Sequence, residues 1–366
     1  MTRKWLRWLP ALAVPAVVAA GALAGSLPAS AGDPLPPKTP EQVLQLMARH
    51  SVPAFSGTLE QSSELGLPEL PKTGPGADSA TWLELLTGPH TARVYRDGPD
   101  KARIQILDRL AERDAIRNGS DLWLYNSKDN TAAHAQLPAD AAGRAGRHGG
   151  TDATATPDQF AGKLLAKIDA STAVTVGADV EVAGRAAYNL MVTPKSDTTL
   201  VSSIAVAVDG ETGLPLGVEV KARGQADPAF RVAYTSLTLA APDPSVFTFS
   251  PPPGATVKEI PVAEHKDGTG YKDGHRDGTG QATPPATDGS HKPAVTGTGW
   301  DAVVAFPAGT ANQASDAADL LQQATVPVQG GRLLSTALVN VLVLDDGRVL
   351  AGSVPLERLQ AAAAQK

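Results

Sequence analysis

The sequence predicts an α+β fold: a large antiparallel β-sheet with short amphipathic helices on one face, followed by a small C-terminal α+β module. Three observations predict it. The segments AFSGTLEQS, HTARVYRD, KARIQILD, LAERDAIRNG, DLWLYNS and TAAHAQLP are short, alternating or continuously apolar, and separated by turn signals such as Asp97-Gly98-Pro99 and Asn118-Gly119. Two helix openings of the same design, TPEQVLQLMARH and TPDQFAGKLLAKI, punctuate these strands. A polar, Gly-, Asp- and Thr-rich tract then separates a second, smaller set of strand and helix patterns. Many hairpins and few helices fit an antiparallel sheet covered on one side and not a doubly wound fold.

The N-terminus comes first. Arg3, Lys4 and Arg7 precede the apolar run LPALAVPAVVAAGALAG, and Ala29-Ser30-Ala31 has the small-x-small pattern of a signal-peptidase site. The run is broken by Pro10 and Pro15 and is short for a membrane span, so residues 1–31 read as a signal peptide and the mature chain as secreted into the cell envelope.

In the first helix Thr39 is placed as N-cap, Pro40 at the first helical position and Gln42 where a capping box requires it, with Val43, Leu44, Leu46 and Met47 as an apolar stripe. Thr156, Pro157 and Gln159 repeat the design, and Phe160, Leu164, Leu165 and Ile168 recur at helical spacing. After the second helix the strand patterns resume with STAVTVGADVEVAGRAAYNLMVTPK, VSSIAVAVDGETGLPLGVEVKAR, FRVAYTSLTLA and FTFSPPPGATV.

Within VDGETGLPLGVEV, Asp209 and Glu211 admit three readings: a catalytic carboxylate pair, calcium ligands, or a turn. Ile204, Val206 and Val208 before them and Leu216, Val218 and Val220 after them keep strand period, which favours a hairpin turn with solvated carboxylates. The further oxygen ligands and flanking helices of a calcium loop are missing from the pattern. Gly213 supplies a permissive backbone position and Pro215 reads as an edge-strand residue.

Residues 263–296 almost lack aliphatic side chains and read as a flexible linker; His265, His275 and His291 lie scattered in it without the spacing of a metal site. From residue 297 the patterns GWDAVVAF, ASDAADLLQQA, ALVNVLVLDDGRVLAGSV and PLERLQAAAA give strand, helix, hairpin and helix, a module of about seventy residues that would gain from docking on the main sheet.

Composition excludes several classes. The 366 residues carry a net charge of −6 and no basic patch interleaved with aromatics, so no nucleic-acid partner is expected. The absence of cysteine excludes disulfides, thiolate metal sites and a lipidated N-terminal cysteine. No G-x-S-x-G, H-E-x-x-H, P-loop or G-x-G-x-x-G motif occurs, and the expectation is a protein that is no enzyme and needs neither cofactor nor metal.

TPEQVLQLMARH followed by FSGTLEQ, then DLWLYNSKDNTAAHAQLP, VAGRAAYNLMVTPK, VDGETGLPLGVEV and FTFSPPPGATV, in that order, resemble the LolA/RseB superfamily of exported lipid- and lipoprotein-binding proteins, over roughly Thr39 to Ile260. The resemblance implies a half-open barrel of roughly eleven antiparallel strands, whose concave side is covered by lid helices around a cavity for acyl chains. On it residues 32–262 form the binding domain and 297–366 the additional module. The cavity would be faced by Leu44, Met47, Trp82, Trp123, Phe160, Leu164, Leu165, Ile168, Ile204, Val206 and Val218, with Arg49, His50 and Arg103 as candidate head-group contacts. Trp123 and Tyr125 share one strand face and Leu122 and Leu124 the other; the pattern leaves open which looks inward. The partners implied are a lipid or acylated lipoprotein for a carrier, and a membrane anti-sigma factor for a regulator, with the chain a monomer. A structural envelope protein without a cavity is the alternative of another class.

Overall fold

The structure, a computed structural model, describes residues 34–67, 88–107, 111–137, 156–165, 168–261, 293–308 and 324–365. The expected signal peptide, Trp82 with its TWL segment, nearly all of the linker and most of the ASDAADLLQQA helix lie outside the described residues. The chain divides into a short unit ending at Pro37, of which residues 34–37 are described and belong to no helix or strand, and a unit from Lys38 to Lys366.

Helix α1 (Pro40–Arg49) begins as its sequence dictates. The Thr39 hydroxyl accepts from the Gln42 backbone N–H at 3.3 Å and the Gln42 side-chain oxygen accepts from the Thr39 N–H at 2.9 Å, so two orphan donors are satisfied reciprocally. Helix α2 (Pro157–Leu165) repeats the device, with Thr156 and Gln159 exchanging bonds of 3.4 and 3.0 Å. The apolar stripe of α1 buries Val43 and Met47, each worth about 1.5–3 kcal/mol.

The main sheet has thirteen strands and is not closed. They are β1 (Ala54–Ser63), β2 (His90–Asp97), β3 (Lys101–Leu107), β4 (Glu112–Asn118), β5 (Asp121–Asn126), β6 (Thr131–Gln136), β7 (Thr172–Val176), β8 (Val180–Val182), β9 (Arg185–Pro194), β10 (Val201–Asp209), β11 (Pro215–Ala222), β12 (Phe230–Thr238) and β13 (Thr256–Glu259). Their order is β13-β6-β5-β4-β3-β2-β1-β12-β11-β10-β9-β7, with β8 also on β9. All pairings are antiparallel except β13 with β6, so the sheet is mixed and exceeds the expected strand number.

Register assigns the faces. Phe55 pairs with Arg96, Val94 with Ile104, Ile104 with Ala115 and Ala115 with Leu124; on the other half of the sheet Val206 pairs with both Val218 and Leu190. Helix α2 packs on β11 and α1 against β7 and β9. Phe55 meets Tyr234 edge to face at 6.1 Å, and Gly57 leaves room for that ring: a Cβ there would fall 2.8 Å from it.

The opposite face is crossed by the chain that follows β12. A 3-10 turn, Pro244–Phe247, is capped by the Asp243 carboxylate and lies against β3 and β4. Phe249 then packs on Trp123 and Tyr125, and β13 joins β6.

A second, six-stranded sheet contains β14 (Ala294–Thr296), β15 (Val303–Phe306), β16 (Val326–Val328), β17 (Gly331–Ser335), β18 (Asn340–Leu344) and β19 (Val349–Gly352), in the order β14-β15-β19-β18-β17-β16. Strand β14 lies inside the interval read as linker; three residues are too few for a period to register in sequence. Helix α3 (Leu356–Ala364) closes a core of Val303, Leu333, Leu342, Leu350, Val354 and Leu359. The two sheets meet where β9 leads to β10: the Leu200 N–H and the Thr199 hydroxyl both donate to the Ser353 carbonyl at 2.8 Å, and Asp301 accepts from the hydroxyls of Ser196 and Thr198. Trp300 Nε1 donates to Thr172 Oγ1 at 2.9 Å.

Candidate ligand-binding cleft

The turn between β10 and β11 positions α1. Asp209 accepts from the Glu211 N–H at 3.1 Å and from the Thr212 hydroxyl at 2.9 Å, and the Arg185 guanidinium joins it at 2.6 Å while reaching Glu211 at 2.9 Å. These carboxylates form a turn, as the strand flanks indicate, yet Asp209 is only 1% exposed and is held by a cation, not by solvent. Gly213 has φ +78°, and a Cβ there would sit 2.5 Å from the Leu46 carbonyl oxygen. Glycine therefore permits both the turn and the close approach of α1. Pro215 opens β11, a central strand and not an edge; as first residue it needs no ladder N–H.

Beside these contacts a cleft of about 290 Å³ opens over β1 to β5, walled by Thr156, Asp158 and Gln159 at the start of α2 and by Leu214. Its apolar lining includes Phe55, Val94, Ala102, Ile104, Ala115, Leu122 and Leu137. The volume lies at the lower bound of the roughly 300–1,000 Å³ typical of small-ligand sites. Arg96 and Arg117 border the same space. The Arg96 Nε donates to the Gly98 carbonyl at 3.4 Å, and the Arg117 Nε to the Gly119 carbonyl at 3.2 Å. Asp158 meets the His50 Nε2 at 3.2 Å, and that carboxylate is the main reason His50 titrates above the usual histidine range.

The expected site residues are distributed differently. Met47, Ile204, Val206 and Val218 are buried and Leu44 and Leu164 half-buried, and none of them lines this cleft; α2 packs on β11 and α1 against β7 and β9 on that half of the sheet. Ile168 is half-buried beyond the end of α2. Phe160 and Leu165 belong to α2, but their side chains lie outside the described residues, as does Trp82. Trp123 projects from the face opposite the cleft, because its partner Ile116 and the stacked His134 share that face, whereas Leu122 pairs with Arg117 and lines the cleft. The cleft therefore lies on the face of Leu122 and Leu124; Leu122 lines it, and Leu124 is exposed.

Of the candidate head-group contacts, His50 stands beside the cleft, Arg49 is exposed, and Arg103 lies on the opposite face. There Arg103 clasps Asp114 with bonds of 3.0 and 2.9 Å and donates to the Val246 carbonyl at 3.2 Å. Burial pushes the Asp114 carboxyl up to about 6, against the opposing pull of Arg103. Among the described residues no cluster of three or more His, Asp or Glu could hold a metal ion.

Arg96 and Arg117 were legible only as a repeated R-x-G ending, Arg96-Asp97-Gly98 and Arg117-Asn118-Gly119, in which the glycines take φ values of 76° and 65°. Asp158 gave the sequence no signal beyond acidic placement in a first helical turn.

No protein-family model and no curated protein matches the chain. Solved structures do. The chain is similar to MucB. In the MucA/MucB complex of Pseudomonas aeruginosa the identity is 17%, the match covers 88% of this chain and 96% of that chain, and the TM-score is 0.42. An uncharacterized conserved protein of Thermus thermophilus matches at 9% identity over 60% of this chain and 98% of that one, with a TM-score of 0.34. A LolA superfamily protein of Nitrosomonas europaea matches at 11% identity over 58% and 99%, with a TM-score of 0.24. No helix among the described residues is long and apolar enough to cross a membrane.

Proposed function

We propose that this chain is an exported, non-catalytic binding protein that takes an acyl chain of a lipid or lipoprotein into the cleft between its sheet and α2, as a carrier or an envelope sensor. The observation that carries the reading is the cleft itself: a concave apolar surface from five strands, bordered by a few polar side chains, is the usual form of a site for an amphipathic ligand. In this reading α1 and α2 are the cover of the sheet, α1 packed and α2 the wall that ligand entry displaces. Residues 32–262 would form the binding domain and residues 297–366 the appended module, with cleavage of the signal peptide after Ala31. Carrier and sensor both need this cleft and part only at the next step, transfer of cargo to an acceptor or release of a protein partner such as an anti-sigma factor.

Native mass spectrometry of protein purified without detergent tests the reading. A mass increment that lipid extraction removes, and that extraction identifies as an acyl compound, is the expected result. Protein that carries no lipid and shows no saturable fatty-acid binding would return the chain to the structural class.

A further inference from the structure

We infer that Arg96 and Arg117 form a paired cationic clamp for an anionic head group, a phosphate or carboxylate, on the ligand whose chain occupies the cleft; the inference rests on the acyl-chain reading above. Register provides the pairing. Arg96 of β2 and Arg117 of β4 are both cross-strand partners of Ala102 of β3, so the three lie in one row across the sheet. Opposite partners in antiparallel strands project from the same face, and two strand spacings separate the arginine backbones by about 10 Å. The small Ala102 between them leaves that gap to the ligand.

Each arginine is oriented by its own hairpin turn. The glycine two residues on, with positive φ, presents its carbonyl to the Nε atom. That bond engages Nε, and a guanidinium has further N–H donors on its two Nη atoms, in the fork that suits carboxylate and phosphate oxygens. The acidic side chain of the cleft, Asp158, stands against the His50 imidazole at 3.2 Å, which offsets its repulsion toward an incoming anion. Both arginines are half-buried beside Phe55, Ile104 and Leu122, where contacts with an anion are less screened than on open surface.

The test is calorimetric titration of the purified full chain with a lysophosphatidic acid, with the uncharged monoacylglycerol of the same chain length, and with inorganic phosphate. The clamp predicts a preference for the anionic lipid on the order of tenfold or more, falling with added salt. The double variant Arg96→Gln/Arg117→Gln should bring the two lipids within about twofold while monoacylglycerol still binds. Ala102→Glu, which keeps both arginines and both turns, should remove the preference by placing a carboxylate between the guanidiniums. Equal affinity of the wild type for the two lipids, or a preference that survives in both variants, would overturn the clamp and leave the cleft reading standing. Inorganic phosphate binding as tightly as the lipid would overturn the lipid head group as the source of the anion. Failure of both lipids to bind would overturn the clamp together with the acyl-chain reading.

Discussion

The Nε2 atom of His50, at the end of α1, lies 3.2 Å from the Asp158 carboxylate in the first turn of α2, while its Nδ1 faces the Met47 carbonyl. An imidazole with an acceptor at each nitrogen is best satisfied as the cation, since only then do both nitrogens donate. The contact that joins the two helices is therefore strengthened by one proton.

Its pH dependence follows. Asp158 and the Met47 carbonyl raise the His50 pKa, and burial and Arg96 oppose them. A folded pKa above the unfolded value of about 6.5 gives stability that is fully present below that value and is lost as pH rises through the raised one. Because Asp158 is partly solvated, the contact is worth only about 0.5–1 kcal/mol. Urea unfolding of wild type and Asp158→Asn should differ below pH 6.5 and converge at higher pH; parallel curves at all pH values would show that His50 is not the titrating partner.

Gly213 is the position at which a single methyl group should move a helix. Gly213→Ala adds a Cβ against the Leu46 carbonyl at a φ of +78°, combining a clash with a left-handed backbone. A loss of about 2 kcal/mol or more is expected, with the protection of α1 amides in hydrogen exchange lost before that of the strands. A variant as stable as the wild type would contradict the close approach.

On the opposite face, Arg103→Gln leaves the Asp114 carboxylate buried without its cation. About 3–5 kcal/mol should be lost at pH 7.5. The loss should shrink at pH 5, because Asp114, already raised to about 6, becomes protonated there and no longer buries a charge. A loss that is the same at both pH values would mean that Arg103 acts through its bond to Val246 instead.

The elements were legible because their signals are local. Both capping boxes, the alternation of Ile204, Val206 and Val208, and the turn at Asp209 follow from residues within a few positions of each other. What sequence left open depends on pairings remote in the chain. Which of Leu122 and Trp123 faces the cleft follows from strand pairing, and the Trp123 face is covered by Phe249, more than a hundred residues later in the sequence. Ile204, Val206 and Val218 have the composition of a cavity wall and of a packed floor alike; the three are buried, and α2 neighbours β11, the strand of Val218. The cleft-lining Ala102 and Ala115 have side chains too small to mark a site in a sequence, and the arginine row becomes visible only once β2, β3 and β4 are in register.

The central claim is that the space over β1 to β5 receives an acyl chain, and filling that space tests it most directly. Ala115 lines the cleft on β4, between Ile104 and Leu124 in register. Titration of a fluorescent fatty acid into wild type and Ala115→Trp, with urea unfolding as the control for folding, should give saturable binding in the wild type and its loss in a variant that remains folded. Binding of equal affinity in the two proteins would place the ligand elsewhere and contradict the account.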